Sequence, residues 1–280
     1  MSDNELRALI RHALDEDTGE GDHSSLACIP ASAKGRARLL IKESGIIAGL
    51  RVAREVFHIT DPSLKIEIFL KDGERISFGD IALTAEGNMH SLLRSERLVL
   101  NIIQRMSGIA TATSLYVEKV RGTKARITDT RKTTPGMRFL EKEAVRIGGG
   151  INHRMGLYDM IMLKDNHTDF AGGITTAITR TKEYLKKNNL SLKIEVESRN
   201  LKEVNEILSA SGVDRIMLDN FSIPMTVEAV KLIGNAAETE SSGGINLENV
   251  RDYALCGVDY ISIGALTHHI NSLDMSLKAY

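Results

Sequence analysis

Arg131 and Lys132 stand side by side at the end of a short apolar run, within Asp129-Thr130-Arg131-Lys132-Thr133-Thr134-Pro135-Gly136. Arginine offers a planar fork for a carboxylate or phosphate and lysine a compact point charge, so the pair has the chemistry of an anion site. A solvated surface pair has the same composition, but the next segment weighs against it. Gly148-Gly149-Gly150-Ile151-Asn152-His153-Arg154 places two more donors, His153 and Arg154, just after three glycines. Consecutive glycines cost backbone entropy, a cost that suits close approach of the main chain to a ligand or another element. A flexible loop is the other reading. Lys164 ends the run Met160-Ile161-Met162-Leu163 and suits either a phosphate clamp or a Schiff-base amine.

Acids follow at similar places. Alternation in 192–197 puts Lys193, Glu195 and Glu197 on one strand face, with Ile194 and Val196 on the other. Inside a barrel, Glu195 and Asp219 could hold ribose hydroxyls, directly or through Mg²⁺. A strand with one solvated face is the alternative. Ser242-Gly243-Gly244, ahead of a helix expected near Leu247, and Gly264-Ala265 have the glycine turns whose backbone N–H groups bind phosphate in late barrel loops.

These residues need elements that bring them together. Short apolar strand candidates at 126–130, 159–163, 192–197, 214–219, 237–241 and 259–263 alternate with helical patterns and glycine turns, and each runs into polar or small residues at its C-terminal end. The starts at 192, 214, 237 and 259 are 22, 23 and 22 residues apart, room for one strand, one helix and two loops. The expected fold is therefore α/β with a parallel (β/α) barrel whose rim carries the site. Six strands fall short of eight, so the barrel is expected to be incomplete, with a doubly wound open sheet as the fallback.

Upstream, 35–90 is mainly period two, broken by glycine turns, and reads as an antiparallel sheet. From Ser91 to Val120 the period becomes 3.6, predicting one long helix interrupted near Gly108. Ser2-Asp3-Asn4-Glu5 has a capping-box spacing before an amphipathic helix carrying Leu6, Leu9, Ile10, Ala13 and Leu14.

Composition excludes several classes of function. Lys plus Arg number 36 against 37 acids, so diffuse attraction to nucleic acid or an anionic membrane is not expected. Aromatics are 4%, with no tryptophan, which leaves little for base stacking. No apolar run approaches the ~18 residues of a membrane span. Cys28 and Cys256 are far apart and form no metal motif, which suits a reduced, cytoplasmic protein.

Read together, DTRKTTPGMR at 129–138, EAVRIGGGINHRMGL at 143–157 and LKDNH at 163–167 resemble the signature of the quinolinate phosphoribosyltransferases, or nicotinate-nucleotide pyrophosphorylases (carboxylating), in order and spacing. Flanking segments agree, among them ERLVLNIIQRMSGIAT at 96–111, IMLDNF at 216–221, ESSGGI at 240–245 and GVDYISIGALTHH at 257–269. The resemblance implies a type II phosphoribosyltransferase-like fold: an N-terminal α/β sandwich over 1–110, joined by a tail at 270–280, and an incomplete α/β barrel over 111–269. It implies a homodimer with shared active sites, or a larger homo-oligomer, and Mg²⁺ as cofactor. The implied reaction joins quinolinate to phosphoribosyl pyrophosphate, giving nicotinate mononucleotide, pyrophosphate and CO₂ in de novo NAD biosynthesis. By motif position, Arg131, His153 and Arg154, with Arg97 from the neighbouring subunit, would hold the quinolinate carboxylates. Lys132 and Lys164 would face the phosphoribosyl pyrophosphate charges, and Glu195 and Asp219 the ribose and metal. Ser242, Gly243, Gly264 and His268 would hold the 5′-phosphate. Competing readings are the related protein associated with molybdate transport, a Schiff-base aldolase using Lys164, and a non-catalytic phosphoribosyl pyrophosphate sensor.

Overall fold

The structure, a computed structural model, describes residues 3–280. Its contacts divide the chain into two compact units, one of Met1–Ser114, Thr133–Gly149 and Thr267–Tyr280, the other of Leu115–Lys132 and Gly150–Leu266. The segment 133–149 thus groups with the first unit, where a cut at 110/111 would have put it in the barrel.

The first unit opens with helices α1 (Asp3–Thr18) and α2 (His23–Cys28). Leu6, Ile10 and Leu14 are buried on one face of α1, the expected stripe; Ser2 of the capping box lies outside the described residues. Strands β1 (Lys34–Ile41), β2 (Gly45–Ile46), β3 (Lys65–Ile68), β4 (Arg75–Ile76) and β5 (Ile81–Asn88) follow. In β1 alternate residues Ala37, Leu39 and Ile41 are buried, as a sheet with one covered face requires. β1 lies antiparallel between β5 (Leu39↔Leu83) and the C-terminal strand Met275–Ala279 (Ala37↔Ala279, Ile41↔Met275), so the tail completes this sheet.

Between β2 and β3 runs helix α3 (Leu50–Thr60), where period-two reading expected only strands and turns. Buried Leu50, Ala53, Phe57 and Thr60 recur at helical spacing, and Val52 and Val56 widen the stripe. Helix α4 (Met89–Lys119) is continuous through Gly108, correcting the expected interruption. Gly108 serves proximity instead: a Cβ there would meet the Asn271 carbonyl oxygen at 2.2 Å. Gly148, just after α5 (Arg138–Ile147), is equally constrained, because its Cβ would sit 2.3 Å from the Ala110 carbonyl oxygen. At that residue the glycine run serves packing against a helix.

The second unit is built on one six-stranded sheet. β6 (Arg126–Thr128), β7 (Ile161–Leu163), β8 (Ile194–Ser198), β9 (Arg215–Asp219), β10 (Glu238–Ser242) and β11 (Tyr260–Ser262) correspond to the six expected strands within two residues at every end. They lie parallel in the order β6-β11-β10-β9-β8-β7. Ile151 forms a further parallel bridge to Thr128 of β6. Among the described residues no ladder joins β6 to β7, and the barrel is incomplete. Helices α6 (Asp165–Ala171), α7 (Ile174–Lys187), α8 (Leu201–Ala210) and α9 (Ile223–Ile233) fill the crossovers, each packing on the next. The last, α10 (Val250–Leu255), begins three residues beyond the expected Leu247. Because the strands are parallel, all their C-terminal ends share one rim.

Candidate active site

The segment Asn152-His153-Arg154 is tied to the end of β6 by Asp129. This buried carboxylate accepts the His153 N–H at 2.9 Å through Oδ1 and the Asn152 side-chain amide at 2.5 Å through Oδ2. His153 is itself buried, and its Nδ1 accepts the Arg154 N–H at 2.7 Å. In the neutral ring the proton therefore sits on Nε2, which lies 2.9 Å from Glu195 Oε2 and 3.4 Å from Glu240 Oε2. Arg154 also donates through Nη1 to the Met160 carbonyl at 3.3 Å.

Charge in this layer is dense and almost dry. Burial pushes the His153 imidazole down, but hydrogen bonds and charge from Glu195 and Glu240 outweigh it and raise the group to about 9. Burial, with the Glu240 charge adding to it, raises Glu195. Glu240 is as deeply buried, yet His153 and Arg215 hold it below its ordinary value. Arg215 Nη1 donates to Glu240 Oε2 at 2.8 Å. His153, Glu195 and Glu240 offer one ligand atom each within 4.8 Å, a spacing a metal could use, but the guanidinium already supplies the neighbouring positive charge.

A pH effect follows from His153. Its native value lies above the ordinary 6.5, so the stabilisation is fully present below about pH 6.5 and is lost as pH rises through about 9. The second proton goes to Nδ1 and must displace the Arg154 N–H. The amount is on the order of 3 kcal/mol. Urea midpoints measured from pH 6 to pH 10 should fall across this window, and the fall should flatten in His153→Gln; an unchanged slope in that variant would remove His153 as the cause.

At the rim, Arg131 lies three residues past the end of β6, and its Nε is buried without a hydrogen-bond partner among the described residues. Arg154 lies close enough that, after burial, the Arg131 charge is the next influence lowering its guanidinium. Two guanidinium groups brought into mutual repulsion suit an anionic ligand. Lys132 is exposed beside Arg131. Lys164 stands at the end of β7, exposed, with Nζ 3.0 Å from Glu197 Oε2 of β8. Asp219 ends β9 and accepts from Asn220 Nδ2 at 2.7 Å through Oδ2, while Oδ1 has no partner among the described residues. Next to it the Asn220 N–H donates to the Ser242 carbonyl at 2.8 Å, stitching the ends of β9 and β10. Gly243 has φ +89°, and a Cβ there would strike Asn220 Oδ1 at 2.2 Å, so only glycine fits this turn. Gly264 follows β11 two residues past its end.

The expected residues thus separate by depth. Arg131, Lys132, Lys164, Asp219, Ser242, Gly243 and Gly264 share the rim. Glu195 does not join Asp219: β8 and β9 pair Glu195 with Arg215, four residues or roughly 13 Å below Asp219 along the strand. It joins His153 instead. Arg97, exposed on α4, and His268 belong to the first unit. Sequence reading missed Glu240, Arg215 and Glu197 as site residues, although Glu240 opens the ESSGGI motif and Glu197 shares the Glu195 face.

Comparison with known proteins gives a consistent result. The family models for the N-terminal and C-terminal domains of quinolinate phosphoribosyl transferase match residues 22–107 and 109–278. A chloroplastic nicotinate-nucleotide pyrophosphorylase [carboxylating] of Arabidopsis thaliana is 47% identical, over 98% of this chain and 82% of its own length. Quinolinate phosphoribosyltransferase [decarboxylating] 1b of Nicotiana tabacum is 45% identical over the same shares. Among solved structures, NadC from Streptococcus pyogenes superposes with a TM-score of 0.94 at 38% identity, covering 99% of this chain and 97% of that one. With both domains matched in order and the rim residues held on the strands that carry the signature motifs, the chain belongs to the quinolinate phosphoribosyltransferase family.

Proposed function

We propose that this protein transfers the phosphoribosyl group of phosphoribosyl pyrophosphate to quinolinate with loss of CO₂, forming nicotinate mononucleotide and pyrophosphate for NAD biosynthesis. The observation that carries the reading is the Arg131–Arg154 pair, two cations on one rim beside Lys132 and Lys164, in a chain of this family. Two adjacent carboxylates on a pyridine ring match two guanidinium groups. The lysines match a diphosphate. The family match over both domains also decides against a Schiff-base aldolase.

In the first step the pyridine nitrogen attacks C1 of the ribose as the bond from C1 to the pyrophosphate oxygen breaks, through an oxocarbenium-like transition state. Arg131 and Arg154 hold the ring in line, and Lys132 and Lys164 meet the charge that grows on the leaving group. In the second step the bond from C2 to its carboxylate breaks, the electron pair stays on C2 beside the cationic nitrogen, and C2 takes up a proton. His153 acts from below the rim by fixing Arg154. The turn at Ser242-Gly243 offers backbone N–H groups to the 5′-phosphate.

Mg²⁺ fits the half-exposed Asp219, whose Oδ1 is a hard oxygen with no protein partner among the described residues. It would neutralise diphosphate charge there; Glu195, engaged with His153, would not be a direct ligand. We place the working form as a homodimer, with Arg97 reaching the neighbouring site. Among the described residues no helix is long and apolar enough to cross a membrane, and the two free cysteines suit the cytoplasm.

Release of CO₂ from carboxyl-labelled quinolinate, dependent on phosphoribosyl pyrophosphate, tests the reaction. Nicotinate lacks one carboxylate and would leave a half-buried guanidinium unpaired, so its kcat/KM should be lower by about 100-fold or more. Equal turnover of nicotinate would sink the assignment of two carboxylates to this rim.

A further inference from the structure

Arg215 opens β9, at the end of the strand opposite the rim, and is buried. Its guanidinium carbon lies 3.7 Å from the centroid of the Tyr260 ring. Nη2 donates to Glu238 Oε2 at 3.1 Å and Nη1 to Glu240 Oε2 at 2.8 Å. Glu238 is anchored in turn by the Tyr260 hydroxyl at 3.1 Å and by Lys193 Nζ at 3.5 Å. The fork is thus clamped on one face and at both prongs. The Glu240 oxygen it holds is the one that lies 3.4 Å from His153 Nε2.

We propose that Arg215 is a positioning residue for the site: it fixes Glu240 against His153, and through His153 sets the placement of Arg154 toward a dicarboxylate. The ligand in this statement rests on the quinolinate reading above; the positioning does not. A parallel strand covered on both faces is ordinarily apolar, and burying a charged pair costs desolvation that packing alone would avoid. The cost is understandable if Glu240 must be present, oriented and charged under His153. Arg215 cannot do this by touching substrate, since it stands four residues, roughly 13 Å, below Asp219 on the same strand. Its route is a chain of contacts: Tyr260 and Glu238 hold Arg215, Arg215 holds Glu240, Glu240 and Glu195 face Nε2 of the His153 ring, and His153 carries Arg154 as the next residue of the chain.

The test uses the full-length protein with Arg215→Met, Arg215→Lys and the double variant Arg215→Met/Glu240→Gln. Two measurements are made: steady-state kinetics for both substrates, and the ring N–H signal of His153 in histidine-labelled protein, assigned through His153→Gln. Arg215→Met is expected to raise KM for quinolinate about 10-fold, with kcat and the KM for phosphoribosyl pyrophosphate within about threefold, and to move the His153 signal. Arg215→Lys should recover part of the loss. Should Arg215→Met leave too much uncompensated charge to fold, the double variant removes both charges and must show the same quinolinate defect. A folded variant with an unmoved His153 signal and an unchanged quinolinate KM overturns the proposal, as does an equal loss for both substrates. If the parent protein releases no CO₂ from quinolinate while Arg215→Met still moves the His153 signal, the functional reading fails and the positioning role stands.

Discussion

Replacing Lys164 by alanine is expected to lower kcat/KM by about 100- to 1,000-fold, the range for losing one well-placed charge aimed at a transition state. Little stability should go with it. The ammonium stands at the rim with its side chain 46% exposed, and among the described residues its ion-pair partner is Glu197 at 3.0 Å. An ion pair so open to water contributes at most about 1 kcal/mol, or about 3 °C in the melting temperature of a chain this size. The catalytic loss should be much larger because negative charge on pyrophosphate grows as its bond to C1 breaks, so the lysine interacts more strongly with the transition state than with bound substrate. The fall should therefore appear in kcat as well as in KM. Near-normal kcat in a folded Lys164→Ala protein would remove Lys164 from the chemistry, and a large drop in melting temperature would make it structural. Glu197→Gln serves as the companion measurement: it removes the partner and leaves the cation, so it should cost far less activity than Lys164→Ala.

The rim was legible because each strand changes composition where it leaves the sheet. Leu163 gives way to Lys164 and Leu218 to Asp219, and a parallel sheet turns such changes at separate places in the chain into one edge. The layer beneath was not legible, for a definite reason. Glu195, Arg215, Glu238 and Glu240 lie inside strands, where alternation along one strand reports a face but not what the adjacent strand sets beside it. Glu195 pairs in register with Arg215, and Arg215 with Glu238; that register is fixed by the whole sheet and by no local spacing. Hence Glu195 was expected beside Asp219 and stands beneath His153. Helix α3 was missed for a different reason: glycines on either side, at Gly49 and Gly73, made a short helix look like one more piece of a turn-rich sheet, although Leu50, Ala53, Phe57 and Thr60 carry a helical stripe. Gly108 misled in the opposite direction. A glycine costs about 1 kcal/mol in a helix, which reads as an interruption, but here it admits the Asn271 carbonyl against an unbroken α4.

An inactive Arg97→Ala protein mixed with an inactive Lys164→Ala protein is expected to regain about a quarter of parent activity. Arg97 is exposed on α4, and among the described residues neither a hydrogen bond nor an ion pair holds it, so its guanidinium is available to another chain. If each site combines the Lys164 of one subunit with the Arg97 of its neighbour, a mixed dimer gathers both lesions into one site and leaves the other intact. Random pairing of equal amounts makes about half the dimers mixed, each with one working site of two, which gives about a quarter. The competing account is an ordinary surface arginine beside Glu96, for which Arg97→Ala would be active from the start. Subunit exchange must be demonstrated independently, for instance by energy transfer between labelled protomers, since tight dimers exchange slowly. With exchange shown and Arg97→Ala inactive alone, absence of recovery would put Arg97 in its own subunit's site. Recovery well above a quarter would mean the sites are not independent, with one intact site driving the dimer faster than half the parent rate.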